Sequence, residues 1–426
     1  MRGPERPALV FADSRGQIIE FAELEMVGAH AGRWVRLQPG DWIPLPEGSE
    51  LFMLPDRVPV GFDPSSGQFV VLDKNPYDPS FSAYAVAAFV APAHTATHLA
   101  AYRTRVDAKV LPLFSYAAVG WYKNTFVTTA IRVDPDERQD YRHFNLKKIS
   151  SNARKIMKAH QNNRLIQHLG RCALSYACPA ARNFFMRRWE APLPSSPVCN
   201  ARCLGCISHQ EHPDICVSQE RIRFVPTPDE IAEVALTHLH YAEDGIVSFG
   251  QGCEGEPLLQ AKTLEKAVKI IRSRTQKGTI NVNTNASIPE AVDRLFNAGV
   301  DSIRVSMNSA RQKYYKAYHR PVSYSFEDVK ESIKVAKTHG RFVSLNYFIF
   351  PGFTDDPDEI SALLAFLDEC PVDLIQMRNF NIDPEWYLQE IDFSPGGPPV
   401  GIRKWMKIIK QHFPQIRFGY FNPRLR

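Results

Sequence analysis

Residues 246–282 read IVSFGQGCEGEPLLQAKTLEKAVKIIRSRTQKGTINV, and this stretch decides the fold. A short apolar run, Ile246–Phe249, gives way to a turn-rich segment. Leu258–Arg274 follows, with apolar residues at helical spacing, and then a second apolar run, Ile280–Val282. Strand, amphipathic helix and strand in that order predict a βαβ unit with parallel strands. The alternation continues outward in both directions. Strands are predicted near Trp189–Leu193 and at Ser302–Val305, Val343–Ile349 and Val372–Met377. Helices are predicted at Thr227–His240, Pro289–Ala298, Phe326–Gly340, Asp356–Leu367 and Arg403–Gln411. About six β/α units suit an α/β, TIM-like partial barrel better than a closed one of eight. Sites in such folds lie at the carboxyl ends of the strands.

Just after the first predicted strand comes SSPVCNARCLGCISHQ (195–210), in which Cys199, Cys203 and Cys206 are spaced C-x3-C-x2-C. Three thiolates on one tight loop can hold three irons of a 4Fe–4S cubane and leave the fourth iron open. They also suit zinc, for which His209, His212 or Cys216 would supply the fourth ligand.

The loop resembles the cluster motif of the radical S-adenosylmethionine (SAM) superfamily, and further segments match that family in order. Gly255–Leu259 resembles its Gly-Glu-Pro-Leu-Leu turn, and NVNTNAS (281–287) its third-strand ending. DSIRVSMNSA (301–310) resembles the fourth strand, LNYFIFPGFTDD (345–356) the fifth, and DLIQMRNF (373–380) stands at the sixth. The resemblance covers about residues 189–420. It implies a radical SAM partial barrel with a 4Fe–4S cluster on Cys199, Cys203 and Cys206 as its metal site. It further implies a cofactor-binding set of Gly255, Glu256, Asn285, Arg304, Ser306 and Met377. In that set Glu256 meets the SAM ammonium, Asn285 and Ser306 meet ribose hydroxyls or the carboxylate, Arg304 pairs with the carboxylate, and Met377 packs on adenine. The implied activity is reductive cleavage of SAM to a 5′-deoxyadenosyl radical that takes hydrogen from a substrate, with flavodoxin or ferredoxin as reductant. Two departures stand out. Gly205 replaces the aromatic residue common before the last cysteine, and Asn308 replaces an acid after the fourth strand.

The rest of the chain divides in two. Residues 1–137 are rich in β-branched runs and proline turns and predict a β-rich accessory domain, with a hairpin of Ser115–Trp121 and Phe126–Val133. Residues 138–188 predict a helical connection with net charge +11, so the chain's overall +5 hides a local excess. That segment reads either as a solvated helical face or as a surface for a phosphate-bearing partner such as RNA. The barrel is placed at 189–426. Two functions from other classes compete with the radical enzyme: a nucleic-acid-binding protein with a structural zinc site, and an iron–sulfur electron-transfer or sensor protein.

Among the remaining cysteines, Cys253 precedes the Glu256 turn and is a candidate hydrogen donor or ligand, with an inert buried thiol as the competing reading. Cys172, Cys178 and Cys216 could hold a second cluster, and Cys370 has no suggested role. His94 and His98 are four apart, but the threonines between them favour a structural role over a helical metal pair. The longest apolar run, Ala83–Ala93, is too short for a span of about 20 residues. A cytoplasmic setting is expected, where clustered cysteines bind metal rather than pair. With 44% hydrophobic and 23% charged residues, the chain is unlike a disordered or fibrous one.

Overall fold

The computed structural model describes residues 6–426. The first part is an antiparallel β-structure. Ala8–Ala12 pairs with Ile18–His30 on one side and Val119–Tyr122 on the other. The expected hairpin is present but tighter than predicted: Val119–Tyr122 pairs with Thr125–Thr128 across Lys123 and Asn124, whose φ angles of 49° and 60° are those of a primed turn. The single predicted run 126–133 is two strands, and its second piece, Ala130–Arg132, turns away to pair with His94–Ala96. His94 therefore lies in a strand rather than a helix, while His98 stacks on His30 with centroids 4.5 Å apart.

Three helices follow: α1 (Leu146–Ala159), α2 (Arg164–Leu174) and α3 (Pro179–Met186). Asn145 and Asn163 cap α1 and α2 by accepting backbone hydrogen bonds. Leu165 and Leu169 bury the inner face of α2 in the same core as Ile231 and Val234 of α4 (Pro228–Tyr241).

The barrel strands are β1 (Glu190–Pro192), β2 (Ile246–Phe249), β3 (Thr279–Thr284), β4 (Ser302–Met307), β5 (Phe342–Ile349), β6 (Leu374–Asn379) and β7 (Arg417–Gly419). All neighbours are parallel and follow chain order in one open sheet, the topology of a partial barrel. The sixth strand begins two residues later than predicted, and β7 is an added seventh that was too short to read.

Strand periodicity separates the two faces of the sheet. Ile303, Val305, Met307, Val343, Leu345, Tyr347, Ile375 and Met377 all join the core shared with the helices. Arg304, Ser306, Ser344, Asn346, Gln376 and Arg378 alternate with them and line the lumen. No helix among the described residues is long and apolar enough to cross a membrane.

The β-rich part docks at the carboxyl ends of β5 and β6. Thr95 Oγ1 donates to the Met377 carbonyl at 2.7 Å, and Asn379 exchanges two 2.8 Å bonds with the Ala96 amide and the His94 carbonyl. Ala31 N donates to Pro351 O at 2.9 Å. Arg57 forms a buried ion pair with Asp383 at 2.7 Å. A second apolar core joins Val60, Leu99 and Leu113 of this part to Leu204 of the cysteine loop and to Tyr318, Phe350 and Tyr387 of the barrel. The accessory part therefore caps the end of the barrel at which the cysteines sit.

Candidate active site

The approach to the cysteine loop is laced to the loop after β2. Gly255 N donates to Ser196 O at 2.7 Å, and Glu256 N donates to Val198 O at 2.9 Å. A Cβ on Gly255 would lie 1.9 Å from that same Val198 oxygen, so only glycine permits the approach. Glu254, fully buried, closes the joint. One carboxylate oxygen accepts from Ser195 N, Ser195 Oγ and Ser196 N, the other from Gly250 N and Gln251 N. Burial pushes this carboxyl up to about 7 against the pull of those donors.

Glu256 is also buried and pushed up to about 7 by desolvation. Its Oε1 accepts from Leu258 N and Thr284 Oγ1, while Oε2 accepts only from Asn285 N at 2.8 Å. A carboxylate oxygen has room for a second donor, which leaves Oε2 able to take one more. Asn285 Nδ2 donates to Asn200 Oδ1 at 2.8 Å, so the end of β3 also holds the cysteine loop.

The three thiols are half-buried on one loop and act on one another electrostatically. The Cys203 thiol is driven well above its ordinary range, first by burial and next by the Cys206 and Cys199 thiols. Cys199 is pushed up to about 11 by burial and by the nearby Glu256 carboxylate. Thiols raised in this way are stable as thiolates only beside a positive partner, so the donor set fits bound iron. Two neighbours that the sequence reading missed touch the sulfurs. His319 Nδ1 lies 3.4 Å from Cys203 Sγ, and Arg221 Nη2 lies 3.5 Å from Cys206 Sγ. Burial lowers the His319 imidazole to about 3, so it is neutral at ordinary pH.

The zinc set does not form in this structure. His209 and Cys216 are exposed, and His212 accepts from Asp214 N while packing edge-on against Trp386.

The two departures have structural reasons. A Cβ on Gly205 would meet Ile382 at 2.7 Å and the Tyr318 hydroxyl at 2.9 Å, so those residues fill the space of the missing aromatic ring. Asn308 donates to Tyr314 O and Tyr387 Oη, both at 3.1 Å, and braces α5 (Pro384–Glu390) instead of facing the lumen as an acid.

Residues 193–364 match the radical SAM superfamily. Over that stretch the chain is similar to radical SAM domains. The cofactor pair of that superfamily is a 4Fe–4S cluster and SAM. The chain is 26% identical over 237 residues to a probable GTP 3′,8-cyclase of Methanococcus vannielii, covering 54% of this chain and 71% of that one. It is 25% identical over 182 residues to the FeMo cofactor biosynthesis protein NifB of Klebsiella pneumoniae, covering 38% and 37%. The chain thus spans little more than a third of the NifB relative. Among solved structures, methylornithine synthase (PylB) aligns at TM-score 0.39 and 16% identity over 64% of this chain and 77% of that one. The hydrogenase maturase HydG from Carboxydothermus hydrogenoformans aligns at TM-score 0.39 and 13% identity over 64% and 70%.

The structure distributes the expected site residues of the barrel unevenly. Gly255, Glu256 and Asn285 meet at the cysteine loop. Arg304 and Ser306 face the lumen further along, where Ser306 is in register with Asn346, and Asn346 with Gln376. Arg304 Nη1 donates to Gln376 Oε1 at 3.2 Å, while its Nε is buried without a partner. Burial and the nearby Arg378 lower the Arg304 guanidinium to about 10. Neither arginine has a carboxylate within salt-bridge distance among the described residues.

Two expectations need correction. Met377 is fully buried in the helix–sheet core, because it alternates with the lumen-facing Gln376 and Arg378. Its side chain is turned away from any adenine in the lumen. Cys253 is buried against α2, where it groups with His168 and Cys172, rather than facing the lumen.

Proposed function

We propose that the chain binds SAM at a cluster on Cys199, Cys203 and Cys206 and uses it for hydrogen abstraction from a substrate held in the lumen. When bound, the cluster and SAM supply a 5′-deoxyadenosyl radical. The observation that carries the reading is the joint itself: a three-cysteine loop tied by Glu256, Asn285 and Asn200 to the strand ends that face a polar lumen. Glu256 Oε2 takes the SAM ammonium as its second donor, a charge-assisted pairing. Arg304, with Ser306 beside it, receives the SAM carboxylate, for which its unpartnered Nε is suited. The β-rich cap and its aromatic core over Tyr318 and Phe350 keep water from the reacting centre.

Anaerobic reconstitution tests the metal assignment. A brown protein with about four irons per chain is expected, falling to none when Cys199, Cys203 and Cys206 are all alanine. A reconstituted protein that stays colourless and holds no iron would refute it. The comparisons lend no support to the zinc-module or electron-transfer readings.

A small reductant such as flavodoxin or ferredoxin reaches the cluster from outside the loop. A cleft of about 200 Å³ opens there beside Cys203, between Arg202, His209, Arg320 and Trp386. The basic segment supports a phosphate-bearing partner such as RNA. Lys147, Lys148, Arg154, Lys155 and Lys158 of α1 are exposed and have no ion pair among the described residues, whereas Arg164 and Arg171 are paired with Glu230 and Glu220. Changing Lys147, Lys148, Arg154 and Lys155 to glutamine is expected to lower the salt concentration that elutes the protein from heparin or RNA resin. Unchanged elution would refute that surface.

A further inference from the structure

A second set of metal-binding side chains lies outside the cysteine loop, on the seam between the basic helices and the barrel. His168 and Cys172 stand four residues apart on α2 and so share one face. Cys253, on the loop after β2, meets them from the barrel side. One nitrogen and two sulfurs of these residues all lie within 4.8 Å of one another. His168 Nε2 is 3.5 Å from Cys172 Sγ.

That separation is informative. A tetrahedral zinc ion with bonds of about 2.0–2.1 Å to nitrogen and about 2.3 Å to sulfur holds the two donor atoms about 3.5–3.6 Å apart. A cubane would place each thiolate on a different iron, so donors gathered this closely suit a single ion. A fourth donor stands next to them. Cys178 N donates to Cys172 O at 3.0 Å, and Cys178 is the N-cap of α3 yet makes no side-chain capping bond. The Cys178 sulfur stands outside the three-donor group and faces the α3 amides of Ala180 and Ala181, so it reaches the ion by a side-chain rotation. Cys216, which the sequence grouped with Cys172 and Cys178, is exposed and stands outside this group.

We propose that His168, Cys172, Cys253 and Cys178 form a structural zinc site. The donor set is Cys3His, three soft thiolates and one imidazole, and it is closed, with no position left for a substrate. Its place gives it a task. Cys253 is followed immediately by Glu254, the clamp on the cysteine loop, and three residues later by Glu256. Zinc there fastens α2 and the start of α3 to the loop that positions the cluster. Two buried cysteines and one half-buried histidine stand side by side here with no catalytic use.

The test uses full-length protein in which Cys199, Cys203 and Cys206 are alanine, so that iron at the cluster loop contributes nothing. Purified from zinc-supplemented medium, it is expected to carry about one zinc per chain. Cys172→Ser or Cys253→Ser in that background is expected to cut zinc at least tenfold, and Cys178→Ser to weaken retention against a chelator. Because those variants could fail to fold, the chelator-stripped parent is also titrated with Co²⁺. Intense visible bands of tetrahedral thiolate-bound cobalt, saturating at about one per chain, are expected. Three results overturn the site: less than a tenth of a zinc per chain with no such cobalt bands, zinc that survives both serine variants, or a Cys172–Cys253 disulfide as the resting state.

Discussion

Truncating Arg57 to alanine is expected to destabilise the protein by about 3–5 kcal/mol, because it leaves a carboxylate buried without its counter-ion. Arg57 and Asp383 side chains are 3% and 2% exposed, and the ion pair joins the β-rich cap to the start of α5. Arg57 Nη1 also donates to Pro55 O and Lys109 O, so the guanidinium is held as a fork rather than as a point charge. Asp383 meanwhile accepts from Leu111 N, Glu385 N and Trp386 N. Those amides keep the carboxylate in place but do not neutralise it. Arg57→Lys should recover part of the loss, and Arg57→Met combined with Asp383→Asn should recover more than either change alone. Urea unfolding followed by tryptophan fluorescence measures the effect. A shift of less than about 1 kcal/mol would show that the pair is not dry in solution.

Glu254→Ala is expected to have the second large effect. Five donors from two segments converge on this one carboxylate, and they come from the approach to the cysteine loop and from the turn after β2. Each donor left unpaired in a dry site costs about 1–3 kcal/mol. Water can reach some of them, so a total loss of about 2–6 kcal/mol is expected rather than the full sum. The loss should be local as well as global. Reconstituted Glu254→Ala should hold iron poorly even under conditions where it remains folded by circular dichroism. Glu256→Gln should behave differently, keeping its iron while weakening SAM binding. Equal iron content in wild type and Glu254→Ala would show that the clamp does not shape the loop.

What could be read from the sequence follows from how local each signal is. The strand at Ile246–Phe249 and the helix at Pro289–Ala298 were predicted at their observed limits, because apolar runs and proline starts are written in consecutive residues. The cysteine loop and its Gly-Glu-Pro companion were legible for the same reason. The resemblance implies a lumen role for Met377, but strand alternation turns its side chain to the helix side. The polar neighbours Gln376 and Arg378 carried the correct signal for the lumen face. Glu254 stood two residues before Glu256, and a second acid in so apolar a turn could have been noticed. Arg221, His319 and Tyr318 reach the cysteines only through tertiary folding. No spacing in the chain links 318 or 319 to 203. Cys253 and His168 are 85 positions apart, and nothing short of the fold brings them together.

The most direct measurement of the central claim is the product formed from SAM by the reconstituted protein under strict anaerobiosis after reduction with dithionite. The account predicts 5′-deoxyadenosine and methionine in equal amounts, and neither when Cys203 is alanine. A fully loaded cluster that yields no 5′-deoxyadenosine, with or without cell extract as a source of substrate, would contradict it.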